Sequence, residues 1–218
     1  GSSIDFGLQT APGTYTVLGT NSATGCANLM SGTATIVIAT PPVAYTVTGG
    51  GSYCTGGAGF NVGLATSDIG IDYELYFNGV PTGTILSGTG AALDFGVYTA
   101  AGTYTVMGVS TATLCDNTMA GSAVIIVNPL PIAYTVSGGG SYCAGGSGVN
   151  LILSNSEVGV DYQVYVGASP VGAPVAGTGT MLNMLVTAPG IYTIVAVNAT
   201  TGCTNTMSGS AVVIVNPL

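Results

Sequence analysis

Lysine, arginine, histidine and tryptophan are all absent from this 218-residue chain. The only charged side chains are eight Asp and Glu residues, for a formal net charge of −8. Each absence closes a class of chemistry. Without cationic side chains the chain has little to offer phosphate, so neither nucleic acid nor an anionic membrane surface is expected as a partner. A serine nucleophile needs a base, and there is no His or Lys to serve. Imidazole-based metal sites, the lysine of phosphoryl-transfer loops and the lysine of isopeptide crosslinks are missing for the same reason. No catalytic residue, cofactor or metal site is therefore expected. Uninterrupted apolar runs stay at strand length, as at Ala123–Val127, well short of the about 20 residues of a spanning helix. No membrane span is expected in this segment. Low charge also removes a barrier to lateral association.

What the chain does have is itself, repeated. AYTVTGGGSYCTGGAG at Ala44–Gly59 returns as AYTVSGGGSYCAGGSG at Ala133–Gly148, a period of 89 residues. The match continues through Asp72-Tyr73 and Asp161-Tyr162, then GTG at Gly88–Gly90 and Gly177–Gly179. Gly102–Val106 then reappears at Gly190–Ile194 with an offset of 88, so one residue has been deleted before it. The second half of the unit opens the chain, with APGTYTV at Ala11–Val17 and GCANLMSG at Gly25–Gly32. The expected domains are the C-terminal half of a repeat at 1–41 and complete repeats at 42–130 and 131–218. A unit of about ninety residues exceeds a solenoid repeat and suffices for a small independent β domain.

Val-, Ile-, Thr- and Tyr-rich runs alternate with Gly, Pro, Asn and Ser clusters, an all-β pattern. In the middle unit, strands are predicted at Ala44–Thr48, Phe60–Thr66, Ile71–Phe77, Ala92–Val97, Tyr104–Val109 and Ala123–Val127, with a short connecting strand at Thr84–Leu86. Asn78-Gly79 is a hairpin signal. Gly49–Gly59 reads as a glycine-rich loop. Pro129 and Pro131 stiffen the linker. About seven short strands per unit suit tandem immunoglobulin-like β-sandwich domains. Tyr15, Tyr104 and Tyr192 each follow a glycine by two residues at the start of the penultimate strand, where the tyrosine corner of such a sandwich lies; an ordinary core tyrosine is the other reading. The opening segment is expected to supply the last three strands of an incomplete sandwich, completed in the native protein by preceding residues or a neighbouring chain.

Candidate sites are sparse. Asp68, Asp72 and Glu74 cluster near one strand, and Glu157 and Asp161 repeat part of the set. Calcium needs about 6–8 oxygen ligands, the spacing is no recognised loop, and Glu74 becomes Gln163. Solvated acids that discourage edge pairing are the favoured reading. Asp5 and Asp94 correspond to Asn183, which points to a hydrogen-bonding role. Asn198-Ala199-Thr200 is a formal glycosylation sequon without a counterpart in the middle unit, and is read as a chance match. Gly49–Gly51 and Gly138–Gly140 lack the lysine and helix of a phosphate cradle. They are read as turns of positive φ or as points of close approach between modules. Tyr53 and Tyr142 are the available sugar-stacking rings, with junction packing the favoured alternative.

The strings GGGSYC-x-GG, GVDYQVY, GTG, APGIYTI, TGC and MSGSAVVIVNPL resemble the tandem Ig-like repeats of very long surface and secreted proteins of Bacteroidetes-type bacteria. The resemblance covers the whole chain. Such repeats resemble stalks of adhesins and of gliding- or secretion-associated surface proteins. It implies a structural or adhesive role at an extracellular or cell-surface location, and it carries no catalytic residues. The family's usual terminal sorting domain is not in this segment.

In a secreted chain of this kind the five cysteines favour disulfides. They fall at two places in the unit: Cys54 and Cys143 before the second strand, Cys26, Cys115 and Cys203 after the penultimate one. Pairing within units would join Cys54 to Cys115 and Cys143 to Cys203. Pairing across the junction would join Cys54 to Cys203. The second and penultimate strands of an Ig-like sandwich run the same way, so the two places lie at opposite poles, roughly 25–35 Å apart. A disulfide needs Cα atoms about 4.4–6.8 Å apart. Geometry thus favours the junction, leaving Cys26, Cys115 and Cys143 to partners outside the segment or in another chain. Both patterns stay open at this point.

Two functional readings follow: a structural segment of an extracellular filament or adhesin stalk, whose partners are other repeats or copies of the same protein, or a carbohydrate- or protein-binding adhesion module. A surface glycan is a further partner either reading admits.

Overall fold

The computed structural model describes residues 2–218, and every regular element among them is a β-strand. The opening segment holds β1 (Gly13–Tyr15), β2 (Leu18–Thr20), β3 (Ala27–Leu29) and β4 (Ala34–Ile36). The first full unit holds β5 (Val47–Gly49), β6 (Gly51–Cys54), β7 (Phe60–Leu64), β8 (Ile71–Phe77), β9 (Val80–Ser87), β10 (Leu93–Tyr98), β11 (Gly102–Ser110), β12 (Asp116–Thr118) and β13 (Ala123–Asn128). The second repeats them as β14 (Val136–Gly138), β15 (Gly140–Cys143), β16 (Val149–Leu153), β17 (Val160–Val166), β18 (Ser169–Ala176), β19 (Leu182–Val186), β20 (Gly190–Asn198), β21 (Thr204–Thr206) and β22 (Ala211–Asn216).

In the first full unit β10-β7-β5 faces β6-β13-β11-β8-β9, with β12 on the end of β11. The second unit has the same order in β19-β16-β14 and β15-β22-β20-β17-β18. This is the strand order of an immunoglobulin-like sandwich. Period-2 alternation sends Tyr73, Leu75, Tyr104 and Val106 inward from one sheet onto Val62 and Leu64 of the other. Tyr162, Tyr192 and Ile194 meet Leu151 and Leu153 in the second core. Each Val, Leu or Ile among them contributes about 1.5–3 kcal/mol by leaving water.

The predicted glycine-rich loop contains a strand. After β5 pairs with β7, the chain crosses to the opposite sheet at Gly49–Gly51 and runs parallel to β13 as β6. Gly49 and Gly50 hold φ of 97° and 78°. A Cβ on Gly50 would sit 2.6 Å from the Val124 carbonyl oxygen, and one on Gly49 1.9 Å from that of Asn61. The close approach is therefore between the two sheets of one unit and not between modules, because the crossing strand must pass flush against both. The first strand is correspondingly shorter than the predicted Ala44–Thr48. The short connecting strand expected at Thr84–Leu86 is the eight-residue β9, folded back on β8 through Asn78 and Gly79, both at positive φ. β12 was not expected; it extends the hairpin after β11.

The one-residue difference between the units is a β-bulge. The β10–β7 register shifts between Asp94 and Gly96, whereas β19–β16 is regular. The Gly96 N–H, at φ 97°, donates to Asp94 Oδ1 at 2.8 Å. Gly7 donates to Asp5 in the same way, also at 2.8 Å. Leu185 follows Asn183 by two residues and has no such turn to make.

The opening segment departs from its expected three strands in an instructive way. No strand forms where the counterpart of β10 was expected, because the described residues hold no counterpart of its partner β7. The counterpart of β11 breaks into β1 and β2, which lack a β8 to run beside. β4 stops after three residues. In β13 the additional residues, Ile126–Asn128, pair only with β6, and among the described residues no strand of that kind precedes β4. Ile4, Phe6 and Leu8 are consequently exposed. An open apolar trough of about 810 Å³ lies between Phe6, Tyr15, Val17, Met30 and Ile36.

Candidate functional site

The joint between the two full units is where the chain concentrates its chemistry. On one side β6 runs beside β13 toward the linker, with Cys54 in register with Asn128. The Asn128 carbonyl accepts the Thr55 N–H at 2.9 Å and the Thr55 hydroxyl at 3.1 Å. Gly57 N–H closes a turn on the Cys54 carbonyl at 2.9 Å. On the other side, the turn between β20 and β21 presents Cys203. Asn198 caps that turn, its Oδ1 accepting the N–H groups of Thr200 and Thr201, both at 3.0 Å. The Asn198 N–H donates to the Cys203 carbonyl at 2.8 Å.

Cys54 and Cys203 are joined by a disulfide with a Cα–Cα separation of 5.6 Å and a sequence separation of 149. Cys203 is fully buried. Cys26, Cys115 and Cys143 are free, so neither within-unit bond is made. The linker is tied to the second unit from two directions. Asn205 Nδ2 donates to the Pro131 carbonyl at 2.8 Å, and the Ile132 N–H to the Glu157 carboxylate at 2.7 Å. At the preceding joint the described residues include no counterpart of Cys54. Asn117 still donates to the Pro42 carbonyl at 2.8 Å, and a cleft of about 500 Å³ opens beside Val37, Ile38 and Thr113.

The remaining candidates serve the scaffold. The hydroxyls of Tyr15, Tyr104 and Tyr192 donate to the carbonyls of Ala11, Ala100 and Ala188 at 2.9, 3.2 and 2.7 Å, closing the turn ahead of each strand. Burial raises the pKa of Tyr104 and Tyr192 above the usual phenol value. Tyr73 and Tyr162 are raised by burial too; their hydroxyls accept the N–H groups of Asp68 and Glu157 at 3.0 and 2.9 Å. Asp68 accepts the Tyr45 hydroxyl at 2.8 Å, and Asp72 the Ser87 hydroxyl at 2.7 Å. Glu74 faces the Tyr76 hydroxyl at 3.4 Å, whereas Gln163 spans to the carbonyls of Val164 and Val171. Among the described residues no three Cys, Asp or Glu side chains converge as a metal site. Asp161 is half-buried on β17. Tyr53 and Tyr142 pack on the core of their own unit, not across the joint. Their hydroxyls donate to the carbonyls of Thr99 and Thr187.

Sequence reasoning missed two pairs of residues. Asn117 and Asn205 hold the linkers. Ser67 and Ser156 are buried, each donating to a carbonyl (Ala91, Thr180) and accepting an N–H (Thr89, Thr178). Their recurrence at the period of the unit was the available signal.

No family model matches the chain, and no curated protein does. Solved structures align with it at low identity. A chain of the mouse coronavirus receptor-binding domain complexed with its murine receptor aligns at 11% identity, covering 78% of this chain and 99% of that one, with a TM-score of 0.47. The fibronectin(III)-like modules of Clostridium thermocellum CbhA give 11% identity over 78% and 95%, with a TM-score of 0.39. The FN1–FN3 domains of chicken CNTN1 give 15% over 92% and 77%, at 0.34. The class of the chain, tandem immunoglobulin-like sandwiches, rests on its own strand order. These likenesses carry nothing about its function.

Proposed function

We propose that the chain is a structural segment of an extracellular filament or adhesin stalk, built of Ig-like repeats whose joints are stiffened covalently. The observation that carries this reading is the Cys54–Cys203 bond, which joins two units that a proline-containing linker already connects. A second bond across one joint adds little to either core and restrains the angle between them. An oxidising, extracellular location fits a structural disulfide. The repeat boundaries at 42–130 and 131–218, and completion of the opening half-repeat by other sequence, belong to the same reading. So do its partners, which are other repeats or copies of the chain. Against the binding-module alternative, the Tyr53 and Tyr142 hydroxyls are already bonded within their own units. Electron microscopy of the native material tests the proposal. Thin rods with a repeat of roughly 35–45 Å per unit are expected from strands rising about 3.3 Å per residue plus their loops; freely jointed beads would contradict it.

A further inference from the structure

The chain carries both halves of its joint a second time, unpaired and facing outward. Cys143 is presented as Cys54 is. It ends β15, in register with Asn216 of β22. The next N–H, of Ala144, donates to the Asn216 carbonyl at 2.8 Å, and Gly146 donates to the Cys143 carbonyl at 3.0 Å. Cys143 is exposed.

The complementary half is at Cys26. Asn21-Ser22-Ala23-Thr24-Gly25-Cys26 matches Asn198-Ala199-Thr200-Thr201-Gly202-Cys203 in its capping asparagine, its Thr-Gly-Cys ending and its bonds. The Asn21 N–H donates to the Cys26 carbonyl and the Gly25 N–H to the Asn21 carbonyl, both at 2.8 Å, as their counterparts do in the bonded turn. Gly25 and Gly202 share φ near 70° (72° and 70°). Cys26 is exposed, and its turn needs no rearrangement to resemble that of Cys203. Cys115 fits less well: Ser110 replaces the asparagine, Leu114 occupies the glycine position at φ 60°, and the residues of its own chain at 37–43 border its pole.

We infer that Cys143 of one copy bonds Cys26 of a second copy, head to tail, forming between chains the joint that Cys54 and Cys203 form within one. The interface is heterologous, and repetition of such a contact propagates an open fibre. This rests on the filament reading and deepens it. The step is an oxidation. Two thiols lose two protons and two electrons, and a disulfide oxidant such as oxidised glutathione takes them up, leaving two glutathione thiols.

The test uses the full chain refolded in a glutathione redox buffer, with free thiols alkylated before chymotryptic mapping. The expected result is a peptide joining Cys143 to Cys26 and a non-reducing gel ladder in steps of 21.2 kDa that dithiothreitol collapses. C143S and C26S should each abolish the ladder, and C115S should leave it. Recovery of Cys143 as the alkylated thiol, its bonding to Cys115, or a ladder that survives C26S would overturn the inference. Microscopy separates the two readings. Rods without the Cys143–Cys26 peptide sink this joint alone, whereas the peptide in short, non-propagating oligomers sinks the filament.

Discussion

The tyrosine hydroxyls are the chain's main alkaline titrants, since it has no lysine or arginine. Tyr73, Tyr104, Tyr162 and Tyr192 are buried, and burial raises each above the ordinary value of 10.0. A raised folded pKa means that the native state binds more protons than the unfolded one in that range. The associated stability is fully present below pH about 10 and falls as pH rises through the folded values. Denaturant midpoints measured across alkaline pH check this; a midpoint that stays constant or rises above pH 10 would contradict it. Tyr192→Phe removes the bond to the Ala188 carbonyl and is expected to cost about 0.5–1.5 kcal/mol, read in the same denaturant experiment. Leu114 sits at φ 60° where the equivalent turns have glycine. Such strain is worth about 1–3 kcal/mol, so Leu114→Gly should raise the unfolding midpoint despite glycine's entropy cost.

Strands form in this chain where they find partners. The alternation of Ile71–Phe77 and Ala123–Val127 marked central strands directly, and the boundaries agree to within a residue. Where pairing is non-local, the sequence was less legible. Gly-Ser-Tyr-Cys has weak strand character, and β6 exists because three glycines let the chain cross between sheets and pair with β13, about seventy residues later. The opening segment shows the converse. Ile4–Leu8 alternates as its counterpart β10 does, yet no strand forms without a neighbour to bond. The disulfide was legible in part: strand direction separates the two cysteine positions within a unit, but their alignment across the joint depends on the linker and its tethers from Asn205 and Glu157. Two tests belong at this scale. Gly139→Ala would put a Cβ 2.4 Å from the Val212 carbonyl oxygen at φ 78°. It is expected to lower the stability of the second unit by at least the about 1–3 kcal/mol of the backbone strain, while the first unit unfolds as before. Residues 1–40 in isolation should show no cooperative unfolding transition, because apolar area contributes about 25 cal/mol per Å² only when covered. A sharp transition in that peptide would contradict the half-repeat reading.

At the scale of the molecule, two cores of nearly the same design are linked by one short segment and one disulfide. Each core keeps its own packing without the bond, so removing it should change the freedom of the joint and not the fold of the units. The most direct measurement is the distribution of angles between the two sandwiches in electron micrographs of the oxidised chain and of Cys203→Ser, with far-ultraviolet circular dichroism of both. The expected result is a narrow distribution for the oxidised chain, a broad one for the variant, and unchanged dichroism. Equal distributions would contradict the account, since the disulfide would then contribute nothing to the stiffness attributed to it.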